Sequence, residues 1–156
     1  LKEHQVVTLA SIVEKETGAG SERPLIASVF HNRLKKKMKL QSDPTVIYGI
    51  KNYNGNITRK HLETVTPYNT YTIKGLPVGP IGNPGRLALV ATLYPAESDY
   101  LYFVSHNDGT HEFTTNYEDH RKAVVKFQID RKAREGKSWR DLNKNLQRSN
   151  VPSDSH

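Results

Sequence analysis

A chain of 156 residues with 35% hydrophobic residues has the length of one domain with a single core; it contains no apolar run near the roughly 18 to 20 residues that a membrane-spanning helix needs. With no cysteine, disulfides and cysteine-based metal or nucleophile sites are excluded, while the compartment stays open. The net charge of +7 is uneven, with thirteen Lys/Arg against twelve Asp/Glu in residues 1–120 and ten against four in residues 121–156, which reads as a near-neutral body with a solvated basic end and not as a nucleic-acid groove.

In chain order, Val6, Leu9, Ile12 and Val13 recur at helical spacing and predict a helix from Lys2 to Thr17, ended by Gly18 and Gly20. Residue 1 already reads as helix, so no signal peptide is expected and the chain is expected to be cut from something longer. Ser21 is the expected N-cap of a second helix, with Glu22 and Pro24 in its first turn and Leu25, Ile26, Val29, Phe30 and Leu34 as its stripe. The run KKKMK, Lys35 to Lys39, is its exposed, cation-friendly C-terminal turn. Asp43 before Pro44 is expected to be extended, followed by a short helix from Thr45 to Tyr48, a turn at NYNGN, and a helix capped by Thr58 through Glu63.

The twenty residues TPYNTYTIKGLPVGPIGNPG, with four prolines and four glycines, have no period. Loops that long are functional or disordered, and Tyr68 and Tyr71 argue for function. Asn83 is the expected cap of the next helix, with Pro84 in its first turn and Leu87, Leu89, Val90 and Leu93 as its apolar positions. YLYFVSHNDGTHEF is a β-hairpin around an Asn-Asp-Gly turn. A last helix is expected from about Asn116 to about Glu135, carrying Val124, Val125, Phe127 and Ile129. The class is α+β, with helices around a small antiparallel hairpin and a long Pro/Gly-rich active-site loop. Residues 1–135 form the expected domain and residues 136–156 a basic polar tail, partly disordered or weakly docked.

One residue in the first helix is out of place. On a helical wheel with Leu9 at zero, Val13 falls near 40°, Val6 near 60° and Glu16 near −20°, whereas Glu14 falls near 140°, each at about 100° per residue. Glu16 therefore lies in the apolar stripe, in the last turn. Desolvation and the negative helix end both favour its protonated form, which is what a general acid requires. Pairing with a buried arginine, or a frayed stripe end, would place a glutamate there equally well. The rings and amides of residues 68–85 suit sugars. No nucleotide-binding glycine loop, serine nucleophile motif or metal cluster competes with that reading, and His106 and His111 read as surface histidines without zinc spacing.

ASIVEKET, VFHNRL, LQSDPTVIYG, YNTYTIKGLPVGPIGNPG and YLYFVS, followed by G.H.FTTNY..H, occur in this order between about residues 8 and 125. Together they resemble the catalytic region of the YceG-like endolytic murein transglycosylases, the MltG family. The resemblance implies a bacterial enzyme that cleaves nascent peptidoglycan between N-acetylmuramic acid and N-acetylglucosamine and leaves a 1,6-anhydro end. It also implies a membrane anchor and a LysM-like domain upstream, an inner-membrane location with this domain on the periplasmic or outer face, glycan strands as partner with peptidoglycan synthases as further candidates, and no cofactor.

The family's essential glutamate falls on Glu16, which is followed by Thr17. One carboxyl suffices because the substrate's own C6 hydroxyl is the nucleophile, where glycosidases ordinarily need two carboxyls. Gln41, Ser42, Asp43, Tyr68, Asn69, Tyr71 and Asn83 are candidates to bind or position substrate, although each could instead cap a helix or brace the loop. Glu14 would anchor that loop or face solvent. A non-catalytic peptidoglycan-binding or scaffolding module is the alternative, and a water-using muramidase with Asp43 as second carboxyl is a further enzyme reading.

Overall fold

The computed structural model describes residues 1–129, and the expected extension of the last helix to Glu135 and the tail 136–156 lie outside the described residues. Helix α1 spans Glu3–Glu16, α2 Arg23–Lys35, α3 Asp43–Tyr48, α4 Arg59–Glu63, α5 Arg86–Leu93 and α6 Tyr117–Val124, the last running into a π-helical turn, Val125–Ile129. Strands β1, Tyr102–Ser105, and β2, His111–Thr114, pair antiparallel with Phe103 opposite Phe113. Helices around a two-stranded sheet make the class α+β. Among the described residues no helix is long and apolar enough to cross a membrane.

Leu9, Ile12 and Val13 of α1 are fully buried against Ile26, Val29 and Phe30 of α2, with Leu40, Ile81 and Phe103 closing the core. Phe30 and Phe103 meet edge to face at 5.8 Å, a favoured geometry for aromatic rings. A smaller cluster of Val46, Ile57 and Leu62 lies under α3 and α4.

α2 carries three adjacent polar residues whose side chains serve backbone carbonyls. His31 Nε2 donates to Thr92 O at 2.8 Å, Asn32 Nδ2 donates to Ser98 O and Tyr100 O, and Arg33 Nε donates to Leu101 O at 2.7 Å. Arg33 is 1% exposed, also donates from Nη1 to Lys39 O, and lies over the Tyr102 ring at 4.9 Å. The end of α5 and the irregular stretch from Tyr94 to Leu101 thereby gain partners that their carbonyls would otherwise lack.

Several local expectations change. Ser21 caps nothing: a 3₁₀ turn, Gly20–Glu22, leads into α2, and Glu22 is the N-cap position. Asp43 is not extended but opens α3, with Pro44 tolerated in the first turn and Ser42 as N-cap. The N-cap of α5 is Gly85, not Asn83. α5 also turns the other way round, because Ala88, Ala91 and Thr92 are buried while Leu87, Val90 and Leu93 are exposed. It lies against both α1 and α2, and only small residues admit that approach. In the last helix Val125 is exposed, and His120, Ala123 and Gln128 are buried instead. Thr58 does cap α4: its hydroxyl accepts His61 N–H while His61 Nδ1 accepts Thr58 N–H. Asn116 caps α6 by accepting Asp119 N–H at 2.9 Å.

Candidate active site

Glu16 is the final residue of α1. Its Oε2 is buried although the residue as a whole is half-buried, in keeping with a position at the end of the stripe formed by Leu9, Ile12 and Val13. Thr17 closes the helix, its N–H and its hydroxyl both donating to Val13 O.

The Pro/Gly-rich segment runs along α1 and is fastened to it at three points. His4 Nε2 donates to Val78 O at 3.0 Å, Ile81 N–H donates to Ser11 Oγ at 3.0 Å, and Gly85 N–H donates to Glu14 Oε1 at 2.7 Å. His4, Ser11 and Glu14 share one side of the helix by their spacing. Glu14 therefore anchors the loop. Gly82 and Gly85 lie close against α1: a Cβ on Gly82 would stand 3.2 Å from Lys15 Cε, and one on Gly85 2.9 Å from Glu14 Oε1. Asn83 lies between these two contacts, exposed, at the same end of α1 as Glu16.

The motifs around residues 41–45 and 68–71 interlock on the side of α3, which itself touches α1. Gln41, in a left-handed conformation with φ 52°, donates its N–H to Thr70 O. Ser42 N–H donates to Thr70 Oγ1 at 2.9 Å, Thr70 N–H donates to Thr45 Oγ1 at 3.1 Å, and the two threonine hydroxyls are 2.7 Å apart. Tyr71 OH donates to Asp43 Oδ1 at 2.7 Å. Ser42 and Asp43 are buried.

Asn69 is committed to the fold. Its Nδ2 donates to the carbonyls of His61, Leu62 and Thr64, closing the end of α4, and its Oδ1 accepts Tyr71 N–H at 2.8 Å. With 1% exposure it is not a free amide for a sugar hydroxyl. Tyr68 packs edge to face on Tyr48 with centroids 4.7 Å apart, and Tyr48 is 51% exposed. That pair is the accessible aromatic surface of this side. The structure thus joins Gln41, Ser42, Asp43, Asn69 and Tyr71 in one network, sets Tyr68 beside Tyr48, and leaves Asn83 outside it.

Sequence reasoning missed Thr70, whose type carries no signal without its partner Thr45, and Tyr48, whose helical position hides its exposure. His111 is also not a surface histidine. Its side chain is 8% exposed, its Nδ1 donates to Glu22 Oε1 at 2.8 Å, and its ring meets Phe103 edge-on at 5.3 Å. His106 is half-buried, with Nδ1 bonded to Thr110 Oγ1 and Nε2 to Glu112 Oε1. Among the described residues no group of three or more His, Cys, Asp or Glu could hold a metal ion.

Comparison with known proteins bears on this arrangement. The model of the YceG-like family matches residues 1–126. An endolytic murein transglycosylase of Bacillus subtilis is 45% identical over 124 residues, which cover 80% of this chain and 34% of that protein. One of Streptococcus pneumoniae is 35% identical over 128 residues, covering 78% of this chain and 23% of that protein. The chain therefore spans about a third or less of the length of these curated relatives. A crystal structure of a yceG-like protein from Listeria monocytogenes superposes with a TM-score of 0.72 at 47% identity, over 77% of this chain and 39% of that one.

Proposed function

The chain belongs to the YceG-like family, and from that premise we propose that it is the catalytic portion of a peptidoglycan lytic transglycosylase with Glu16 as its general acid and base. The observation that carries the reading is the place of Glu16: a carboxyl with one buried oxygen at the end of α1, the helix against which both α3 and the Pro/Gly-rich loop are laid.

Glu16, protonated, gives its proton to the oxygen that links muramic acid C1 to the next sugar, and the C1–O bond breaks through an oxocarbenium-like state. The C6 hydroxyl of the same muramic residue then bonds to C1, and its proton returns to the Glu16 carboxylate. The carboxyl ends as it began, no water is consumed, and the new end is a 1,6-anhydro sugar. The names of the relatives support an endolytic mode.

Asp43 supports this reading over a water-using muramidase. It is 1% exposed and its Oδ1 holds Tyr71 OH, so it serves the network beside α1 and not as a base for a free water. Tyr48 and Tyr68 supply the stacking surface for a pyranose ring. The exposed Asn83 is available to a hydroxyl of the strand. Nascent glycan lies outside the cytoplasmic membrane, so the reading carries an extracytoplasmic location with it.

Glu16→Gln keeps the size and removes the proton. It is expected to melt as the parent does and to lose glycan cleavage by about 10²–10⁴-fold, the usual worth of a general acid and base. Mass spectrometry of the parent's products reads the chemistry, since an anhydro end is lighter by one water than a reducing end. Undiminished cleavage by the variant would sink the assignment of Glu16. Glycan binding without cleavage by the parent would favour a binding module.

A further inference from the structure

The motif G.H.FTTNY..H forms the hairpin tip and the start of α6, and the reaction above makes no use of it. Its tip nevertheless reaches the chain immediately after Glu16. Gly18 and Gly109 are in contact so close that a Cβ on Gly18 would lie within clashing distance of the Gly109 carbonyl oxygen. That same oxygen accepts Ala19 N–H at 2.6 Å. Three residues on, the Glu22 carboxylate is gripped by His111 twice: by the backbone N–H at 3.1 Å on Oε2 and by Nδ1 at 2.8 Å on Oε1.

The tip is itself rigidly made. Gly109 has φ +95° and Asn107 φ 71°, conformations that favour glycine and asparagine. Asp108 Oδ1 accepts both the N–H and the hydroxyl of Thr110. Behind it the hairpin is seated by Phe103, which is fully buried in the main core.

We propose that this hairpin tip is a positioning device for Glu16, with His111 and Gly109 as positioning residues that act through Glu22 and Ala19. The inference rests on Glu16 being the general acid. Glu16 is the last helical residue, and α1 ends on Thr17, whose N–H and hydroxyl both bond Val13 O. Releasing residues 18–22 frees the last turn to fray and lets the carboxyl wander from the glycosidic oxygen. A displacement near 1 Å suffices to cost about a hundredfold in rate.

Glu22→Ala removes both acceptors, and His111→Ala removes the side-chain donor. Each is expected to lower kcat on intact glycan strands by roughly ten- to a hundredfold, with KM within about twofold. His111→Asn presents an amide N–H near the position of Nδ1 and is expected to restore most of the loss. Gly18→Ala acts from the other side of the contact with Glu22 and His111 intact, and is expected to show the same split. It serves as the decisive variant should the others fail to melt cooperatively. Amide exchange at Ala19 is expected to accelerate in every slow variant. Unchanged kcat in Glu22→Ala and Gly18→Ala, or a rise in KM alone, would overturn the proposal. An inactive parent, or a fully active Glu16→Gln, would instead overturn the reading of Glu16 on which it stands.

Discussion

Thr70 joins the two halves of the buried network with its hydroxyl and both of its backbone groups. Replacing it with valine keeps the volume but leaves the Ser42 N–H without its acceptor. We expect a loss of about 1–3 kcal/mol, the cost of an unsatisfied buried donor, read as a lower denaturant midpoint. Glu14 and Glu16 separate by their substitutions too. In Glu14→Gln the amide oxygen still accepts Gly85 N–H, so cleavage should stay near the parent level, whereas Glu16→Gln is expected to lose it. Asp108 gives the pH prediction. The Thr110 hydroxyl, then its N–H, hold the Asp108 carboxyl below its ordinary value of 3.8. A lowered folded value means that the ionised form favours the folded tip: this contribution is complete above about 3.8 and is lost as pH falls through the lower folded value. Protection of the Thr110 N–H, its exchange relative to an unstructured peptide at the same pH, should therefore fall only in acid below that point, and Asp108→Asn should abolish the step. At this scale the sequence was legible where periodicity places a side chain, as for Glu16 at the end of the α1 stripe with one oxygen buried. It was silent where a side chain's meaning comes from a distant partner, as for Thr70 with Thr45, Asn69 with the end of α4, and His111 with Glu22.

Among the elements, α1 and the hairpin were readable because each has a clean signal, a 3.6-residue stripe in one and an Asn-Asp-Gly turn in the other. α5 was not. Its leucines and valine outnumber its alanines, so hydrophobicity alone selects the wrong face, and what decides is the room left by α1 and α2. Two opposite results should follow. Leu87→Ala and Leu93→Ala remove exposed side chains and should stay within about ±0.5 kcal/mol, while Ala88→Leu overfills the contact and should cost about 1–3 kcal/mol. Thermal or urea unfolding of the three variants checks the pair. In α2, Arg33 reads as a surface residue by type, yet it donates to carbonyls on two segments, Leu101 and Lys39. Arg33→Met fills similar space without the donors, and should destabilise more than any substitution among Lys35, Lys36 and Lys37, which are exposed at the helix end.

At the scale of the molecule, the fold divides its stabilisation between a large core under α1, α2, α5 and β1 and a small one under α3 and α4. Opening follows buried apolar area and contact density. Amides in α4 should therefore exchange sooner than those of α1 around Val13, and Phe30→Ala, costing about 3–5 kcal/mol in the main core, should accelerate those of α1 far more than those of α4. The class and the order of elements were evident from composition and pattern. The way the long loop is laid was not, because its bonds are single contacts to separate partners with no period to announce them.

That loop has a seam. Up to Tyr71 it belongs to α3 through Thr70 and Asp43, and from Val78 it belongs to α1 through His4, Ser11 and Glu14. Between them Lys74 is exposed, and Gly75, at φ +83°, has open space around it. The covalent bond between those two residues carries little of the structure. A chain supplied as two separate polypeptides, broken there, should find itself again in solution: neither piece holds a complete core alone, and the bonds from Val78, Ile81 and Gly85 to His4, Ser11 and Glu14 join one piece to the other.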